Sequence, residues 1–278
     1  MNRSKPQTPT GMMSRIAIFL YGVVAYLAFL ASFPYAVGFL GNFAVPKSLD
    51  SAPSRPWQMA LLIDAALLGL FAMQHSLMAR KWFKRMITRV IPQSAERSTY
   101  VLASSLALGL VLLKWEPLGG VIWRVDSLAG RVALYTAFGL GWVLVLVTTF
   151  VINHFDLFGL RQVWLALRGK PQTGLKFVAP LLYRIVRHPL YFGWLLTFWC
   201  TPDMTASHLF FAMMCTGYIL VAIRFEEADL AKDHPEYAVY RRQVPMLIPR
   251  ITRQVQLLPL EASAVRQGTS LSRAASGD

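Results

Sequence analysis

The sequence predicts an all-α fold, a polytopic transmembrane helical bundle of about six spans with a C-terminal amphipathic cytoplasmic helix, and three observations lead there. Hydrophobic residues make up 55% of the 278 and charged residues 15%, too apolar a balance for one or two soluble domains of that length. The apolar residues form uninterrupted runs of membrane-spanning length, where a soluble helix would carry a charged face. The basic residues, finally, alternate from one connection to the next.

The first run covers 14–40 and has Arg3, Lys5 and Arg15 about its start; its length and the five later runs mark a retained anchor, not a cleaved signal. The others fall at 57–79, 99–115, 131–152, 178–200 and 206–224. The fifth is the least regular: Pro189 to Cys200 is apolar, whereas Arg184, Arg187 and His188 place its first half at the interface or in the cytoplasm. Between the first two runs, Pro46 to Trp57 is rich in proline and serine and reads as an irregular external loop. Trp57, Trp115 and Trp123 are expected near the outer interface, where indoles are favoured. Thr201 to Thr205, with Pro202 and Asp203, makes the last two runs a tight helical hairpin. Beyond residue 254 the chain is rich in Ser, Ala, Arg and Gln without period. The expected organisation is one membrane domain over 1–250 and a disordered cytoplasmic tail over 251–278.

Successive connections carry three, two, six, three, six, none and eight of the 28 Lys and Arg residues. Twenty-three therefore gather at the N-terminus, the 80–98 loop, the 153–187 loop and the tail, and five lie opposite. The positive-inside rule puts the basic side, with both termini, in the cytoplasm. The net charge of +14 then orients the protein against anionic headgroups, and nucleic acid is not the expected partner. Cys200 and Cys215 sit in apolar runs and imply neither a disulfide framework nor a metal site. No glycine-rich nucleotide loop is present.

Ionisable residues at the ends of spans are costly and call for an account. The second run brings Gln74 and His75 to the cytoplasmic level, the third starts there with Glu96, Arg97 and Tyr100, and the fourth delivers Asn153, His154 and Asp156. The fifth begins with Arg187, His188, Pro189 and Tyr191, and the sixth ends in Arg224, Glu226 and Glu227. Five spans thus converge on one leaflet. Headgroups can attract the arginines, but an anionic surface offers the acids no natural partner, so a pocket facing the cytoplasm is expected. Asp64, deep in the second run from the other face, has no role beyond helix pairing.

In Arg187-His-Pro-Leu-Tyr-Phe-Gly193, proline suits the first turn of a helix because its missing N–H would have lacked a partner anyway. His188 would flank a helix N-terminus whose free amides favour a carboxylate, and Gly193 would leave room for a ligand against the backbone. Ile223-Arg-Phe-Glu-Glu-Ala-Asp-Leu230 leaves the membrane as an amphipathic helix and runs on through Tyr237 and Tyr240 to Val244-Pro245. Its paired acids could bond ribose hydroxyls or face a sulfonium cation. A capped span with a packing glycine, and a solvated acidic turn, are the bland readings of the two stretches.

Together, RHPLYFG, RFEEADL some thirty residues later and EYAVYRRQVP resemble the isoprenylcysteine carboxyl methyltransferase and phospholipid methyltransferase superfamily. In that superfamily the RHPxYxG and EE elements bind S-adenosylmethionine. The resemblance therefore implies this cofactor, held by Arg187, His188, Pro189, Tyr191, Gly193, Arg224, Glu226, Glu227 and Tyr237. It covers about 180–250, and His234-Pro235 departs from it where many members carry a glycine. FAMQHSLMAR at 71–80, ERSTYVL at 96–102 and NHFDLFGLRQVW at 153–164 look more specifically like bacterial methanethiol S-methyltransferases and related membrane proteins associated with nitrite and nitric oxide reduction. That likeness implies methylation of methanethiol, a small volatile thiol, to dimethyl sulfide in the bacterial inner membrane, with no obligatory protein partner.

Such a reaction needs a thiolate, and a small alkyl thiol is a weaker acid than cysteine, whose ordinary pKa is about 8.5. His75 and His154 have the right intrinsic range to take the proton, with Asp156 or Glu96 as an orienting partner and Tyr100 at the same depth. His75 is favoured for its deeper position, and no metal is required. Two other readings stay open: a prenylated cysteine carboxylate or phospholipid amine as acceptor, and a haem-binding respiratory accessory protein with His75 and His154 as axial ligands.

Overall fold

A computed structural model describes residues 11–173, 182–233 and 237–249. The disorder expected for 251–278, the turn at His234-Pro235 and residues 178–181 of the fifth run lie outside them. Helix α1 spans Met12–Gly41 and ends on Asn42 in the left-handed conformation (φ 59°). It is followed by α2 (Trp57–Ala79), a short α3 (Lys81–Ile87), a 3-10 turn at Gln93–Ala95, and α4 (Glu96–Lys114). A strand β1 (Val121–Arg124) precedes α5 (Leu128–Ile152), whose first turn is capped by the Ser127 hydroxyl accepting from the Gly130 amide. Short helices α6 (His154–Leu157), α7 (Leu160–Leu167) and α8 (Leu182–Ile185) lead to α9 (Pro189–Trp199). Strand β2 (Asp203–Thr205), α10 (Ala206–Asp233) and α11 (Tyr237–Gln243) complete the described chain.

Five helices, α1, α2, α4, α5 and α10, are long and apolar enough to cross a membrane, α4 counted together with the 3-10 turn before it. In each, between 11% and 33% of the most apolar stretch is buried by the protein itself, so its apolar surface is largely left to lipid. The sixth expected span is different. Among the described residues the fifth run yields only α9, whose 11 residues reach about 16 Å against a hydrocarbon core of about 30 Å. The break has a local cause. Proline pushes the residue before it out of the helical region, and His188 sits at φ −127°, ψ 67°. The amides of Arg187 and His188 donate instead to the carbonyls of Pro245 and Met246, at 2.9 and 3.2 Å. Extended backbone at this depth is tolerated because the chain's own C-terminal segment satisfies it.

The fold is also not purely helical. β1 and β2 form an antiparallel ribbon in which Val121 faces Thr205 and Arg124 faces Asp203, tying the α4–α5 connection to the α9–α10 turn. Arg131 clamps that ribbon, donating to both oxygens of Asp203 at 3.2 and 2.8 Å.

Small residues set the helix crossings, as expected where lipid removes the hydrophobic drive and close packing must hold helices together. α9 lies chiefly on α5, where Gly141 and Gly193 meet: a Cβ on Gly193 would come within 2.9 Å of Val145 Cγ2 and 3.0 Å of the Gly141 carbonyl. Gly22 likewise admits Val163 of α7 against α1. The apolar core joins Phe39, Trp115, Phe138, Trp142, Phe198 and Phe211. Trp115 belongs to that core, not to an interface, and its indole N–H donates to Ser207 at 3.0 Å. Trp57 and Trp123 are exposed.

At the end of the bundle that carries the ribbon, Asp50 organises α10. The Asp50 amide donates to Asn42 Oδ1, so Asn42 Nδ2 donates to the Asp50 carboxylate, at 2.6 Å. Thr205 and the His208 Nδ1 donate to the same carboxylate, the latter at 3.1 Å, while His208 Nε2 donates to the Phe198 carbonyl at 2.9 Å. Both ring nitrogens of this fully buried histidine thus face acceptors, and the ring ties Asp50 to the end of α9. Asp64 is the helix-pairing residue expected: its carboxylate accepts from the Glu116 amide at 2.8 Å and holds the end of α4 against α2.

Candidate active site

At the opposite end, the RHPLYFG and EE stretches meet. Pro189 opens α9, as its position after His188 predicts. The buried carboxylate of Glu227 on α10 collects three cations or donors: Arg187 Nε at 3.1 Å, His188 Nε2 at 3.0 Å and Arg241 Nε of α11 at 3.2 Å. Arg187 also donates to the Arg241 carbonyl at 2.8 Å, which fastens α11 over the start of α9. Tyr237 lies buried beside Glu227 with no well-formed hydrogen bond to its hydroxyl, and burial first, then that carboxylate, pushes its phenol up to about 12. Arg241 was missed at the sequence level, although it stands within the EYAVYRRQVP stretch.

Glu226 has a different environment. Its side chain is 48% exposed, accepts from the Tyr191 hydroxyl at 3.3 Å and faces His188 Nδ1 at 3.9 Å. The adjacent acids thus divide: Glu227 is saturated by the protein, and Glu226 keeps capacity for a ligand. Arg224 is exposed one turn earlier on α10. Gly193 leaves room not for a ligand but for α5, since the space at its Cβ is filled by Gly141 and Val145.

A second polar cluster lies between α2 and α4. The Tyr100 hydroxyl is 2.8 Å from His75 Nε2, and the Ser104 hydroxyl is 3.2 Å from His75 Nδ1. Tyr100 and Ser104 stand one turn apart on α4, so their i, i+4 spacing presents both to one imidazole. Ser104 also accepts from Gln74 at 3.3 Å. Phe71 stacks on the His75 ring at 5.3 Å, and the Arg97 guanidinium lies 5.0 Å from the centroid of Tyr100. Arg97 is itself held by the Leu157 carbonyl at 2.7 Å. The clusters are linked through two tyrosines. Tyr218 of α10 bonds Ser76 at 3.1 Å, and Tyr191 of α9 bonds Glu226 on that same helix at 3.3 Å. Ser104 and Tyr218 are further members that the sequence reading passed over.

His154 is elsewhere. Asn153, in the left-handed region at φ 113°, ends α5 and turns the chain back, so His154 points at α1. Its Nε2 is 2.8 Å from the Tyr26 hydroxyl and its Nδ1 2.8 Å from Thr149. The Thr149 hydroxyl already donates to the Leu146 carbonyl, so it accepts from Nδ1–H, and Nε2 accepts from Tyr26. Phe29, Phe150 and Phe158 enclose the ring, and burial pushes its pKa down. Asp156 is bound to Arg161 at 2.9 Å and Glu96 pairs with Lys84 at 3.8 Å; neither bonds a candidate histidine. His75 and His154 therefore occupy separate hydrogen-bonded sites on different helix pairs, which is not the arrangement of axial ligands to one haem. Among the described residues no group of three His, Cys, Asp or Glu side chains could hold a metal ion.

No protein-family profile and no solved structure matches the chain. Curated proteins do. A methanethiol S-methyltransferase of Crocosphaera subtropica is 58% identical over 243 residues, 87% of this chain and 95% of the relative. One of Mycobacterium tuberculosis is 54% identical, covering 85% of this chain and 98% of the relative. The chain belongs to the methanethiol S-methyltransferase family. More distantly, nurim of Xenopus laevis is 28% identical over 87% of this chain. The span shared with the methanethiol S-methyltransferases is long enough to take in both polar clusters, the one on α2 and α4 as well as the one on α9 and α10.

Proposed function

We propose that this chain methylates methanethiol to dimethyl sulfide with S-adenosylmethionine, in a single membrane domain over residues 1–250. The observation that supports the reading is the attachment of both clusters to α10: Tyr191 bonds Glu226 of that helix, and Ser76, next to His75, bonds its Tyr218. The residues fit the cofactor: Glu226 has a free carboxylate face for ribose hydroxyls or a sulfonium, the buried Tyr237 hydroxyl lacks a bond, and Arg187 and Arg241 bring guanidinium groups to the same end of the site. When bound, S-adenosylmethionine supplies an electrophilic methyl group on a sulfonium.

The chain's own part is to bind, orient and dry the site and to remove the thiol proton. His75 is the base of this reading, and His154, a separate buried contact, is its alternate. Attack on a cationic donor by an anionic thiolate cancels charge, so a site closed to water favours it. Positive-inside topology places the chamber at the cytoplasmic leaflet of the inner membrane, with both termini inside. The last turns of α10 and the short α11 form the amphipathic interfacial end.

The test is incubation of the purified protein with methyl-labelled S-adenosylmethionine and methanethiol, larger thiols, farnesylcysteine or phosphatidylethanolamine. Label in dimethyl sulfide is expected, with His75→Ala lowering turnover by about 10² to 10⁴ and cofactor binding retained. Transfer only to farnesylcysteine or to the lipid would replace this reading with the larger-acceptor one.

A further inference from the structure

We infer that the group meeting the thiol is the Tyr100 hydroxyl, with His75 behind it as the final proton acceptor; the inference rests on the function proposed above and refines its base. Both His75 nitrogens are within hydrogen-bond range of a hydroxyl: Tyr100 lies 2.8 Å from Nε2 and 3.1 Å from Nδ1, and Ser104 lies 3.2 Å from Nδ1. Phe71 covers one face of the ring. A thiol therefore has no free nitrogen to approach. Tyr100 stands on the helix next to His75, and Ser76, beside that histidine, bonds Tyr218 of α10, the helix that carries Glu226.

Ser104 supports one direction of transfer. It accepts from Gln74 Nε2, and in the tautomer where it also accepts from His75 Nδ1–H, Nε2 is the acceptor for the Tyr100 phenol. The step then balances. The S–H bond of the thiol breaks as its proton passes to the Tyr100 oxygen. The phenol's own O–H bond breaks as that proton passes to His75 Nε2. What remains is a thiolate, a restored phenol and an imidazolium, which returns its proton to solvent after the thiolate has been methylated.

Arg97 fits the same role. Its guanidinium, 5.0 Å from the Tyr100 ring centroid and fastened to the Leu157 carbonyl, stabilises negative charge passing through that ring. A base acting directly on the thiol would need Tyr100 only as packing, and a phenylalanine would serve equally well.

Tyr100→Phe tests the difference, because it keeps the ring and removes the relay. Turnover with methanethiol should fall at least about 10²-fold, KM and cofactor affinity should hold, and raised pH should restore part of the rate. The double variant with His75→Ala should be no more than about 3-fold slower than either single one, since the two act as a unit. The wild-type rate in mixed H₂O and D₂O should show the curvature of two protons in flight. Binding of methanethiol to protein loaded with S-adenosylhomocysteine should raise thiolate ultraviolet absorbance in the wild type and not in Tyr100→Phe.

Should Tyr100→Phe unfold, site-specific fluorotyrosine at position 100 keeps every contact and must move the pH–kcat profile to lower pH. Turnover of Tyr100→Phe within about 3-fold of wild type, or an unmoved fluorotyrosine profile, overturns the relay while leaving the methyltransferase reading intact. A wild type that never methylates methanethiol overturns that reading instead.

Discussion

Gly193→Ala should loosen the whole site from a position that touches no ligand. An ideal Cβ there would lie 2.9 Å from Val145 Cγ2, 3.0 Å from the Gly141 carbonyl oxygen and 3.1 Å from the Val145 amide nitrogen. Ordinary contacts of this kind lie near 3.5 Å or beyond, so α9 must back away from α5 by about 0.5 Å. Two of the three obstructing atoms are α5 backbone and cannot rotate aside. Overpacking of this sort costs about 1–3 kcal/mol, offset by up to about 1 kcal/mol from the better helix propensity of alanine. Gly139→Ala on α5 is the matched control, because nothing stands within 4 Å of its Cβ. The propensity gain is common to both variants, so the difference between them isolates the contact and should be about 1–3 kcal/mol. Unfolding of the two variants in detergent by denaturant titration measures it. Because α9 carries Pro189 and Tyr191, affinity for S-adenosylmethionine should also fall several-fold in Gly193→Ala only. Coincident unfolding curves and equal affinities would refute the crossing as the device that sets α9.

Three further outcomes follow from the geometry. Burial lowers the pKa of His154, so the unfolded chain takes up a proton that the native site refuses; stability is full above about pH 6.5 and is lost as pH falls below it, by at most about 1.4 kcal/mol per unit. His154→Gln should flatten that dependence in pH-resolved unfolding, and parallel slopes would count against it. Around Glu227, Arg187→Ala should cost about 3–5 kcal/mol by breaking a buried pair, whereas Arg241→Ala, whose side chain is 59% exposed, should cost less than about 1 kcal/mol. Equal losses in unfolding midpoint would contradict the division. Reporter fusions after residues 50, 125 and 204 should report the far side and those after 90, 170 and 250 the cytoplasm; inversion at most positions would move the chamber to the other leaflet.

The long spans were legible because apolar runs leave no choice of solvent. α2 has the bounds expected, 57–79, and the other four long helices begin within three residues of their runs. The fifth run misled because its continuation is not local. What ends α9 at His188 is Pro189 together with carbonyls from Pro245 and Met246, more than fifty residues away in sequence. The β1–β2 ribbon escaped for the same reason, joining Val121–Arg124 to Asp203–Thr205. For the site, sequence gave depth and not direction. His75, Tyr100 and His154 were expected at one depth, but helix rotation decides what they face, and the left-handed Asn153 sends His154 to Tyr26. Pairing of RHPLYFG with EE was legible through the family likeness, while the difference between a saturated Glu227 and an open Glu226 is a matter of packing.

The two clusters also differ in how they are held, and this bears on how a small thiol reaches the chamber. The side with α9 is fastened at every level. His208 takes the Phe198 carbonyl near the ribbon, Gly193 locks onto Gly141 at mid-depth, and Glu227 gathers Arg187, His188 and Arg241 at the far end. The side with His75 and Tyr100 is equally firm within itself, α2 packing closely on α4. Between them the seam is made by side chains: Ser76 to Tyr218 at 3.1 Å, and Arg80 over the Phe225 ring at 4.7 Å and 4.0 Å from Asp229. Besides their share of the apolar core, parting α2 from α10 breaks one hydroxyl pair and two exposed cation contacts, none worth more than about 1 kcal/mol, whereas opening α9 at either end breaks buried hydrogen bonds or ion pairs. The acceptor side can therefore yield to admit methanethiol while the residues proposed to hold the cofactor keep their geometry.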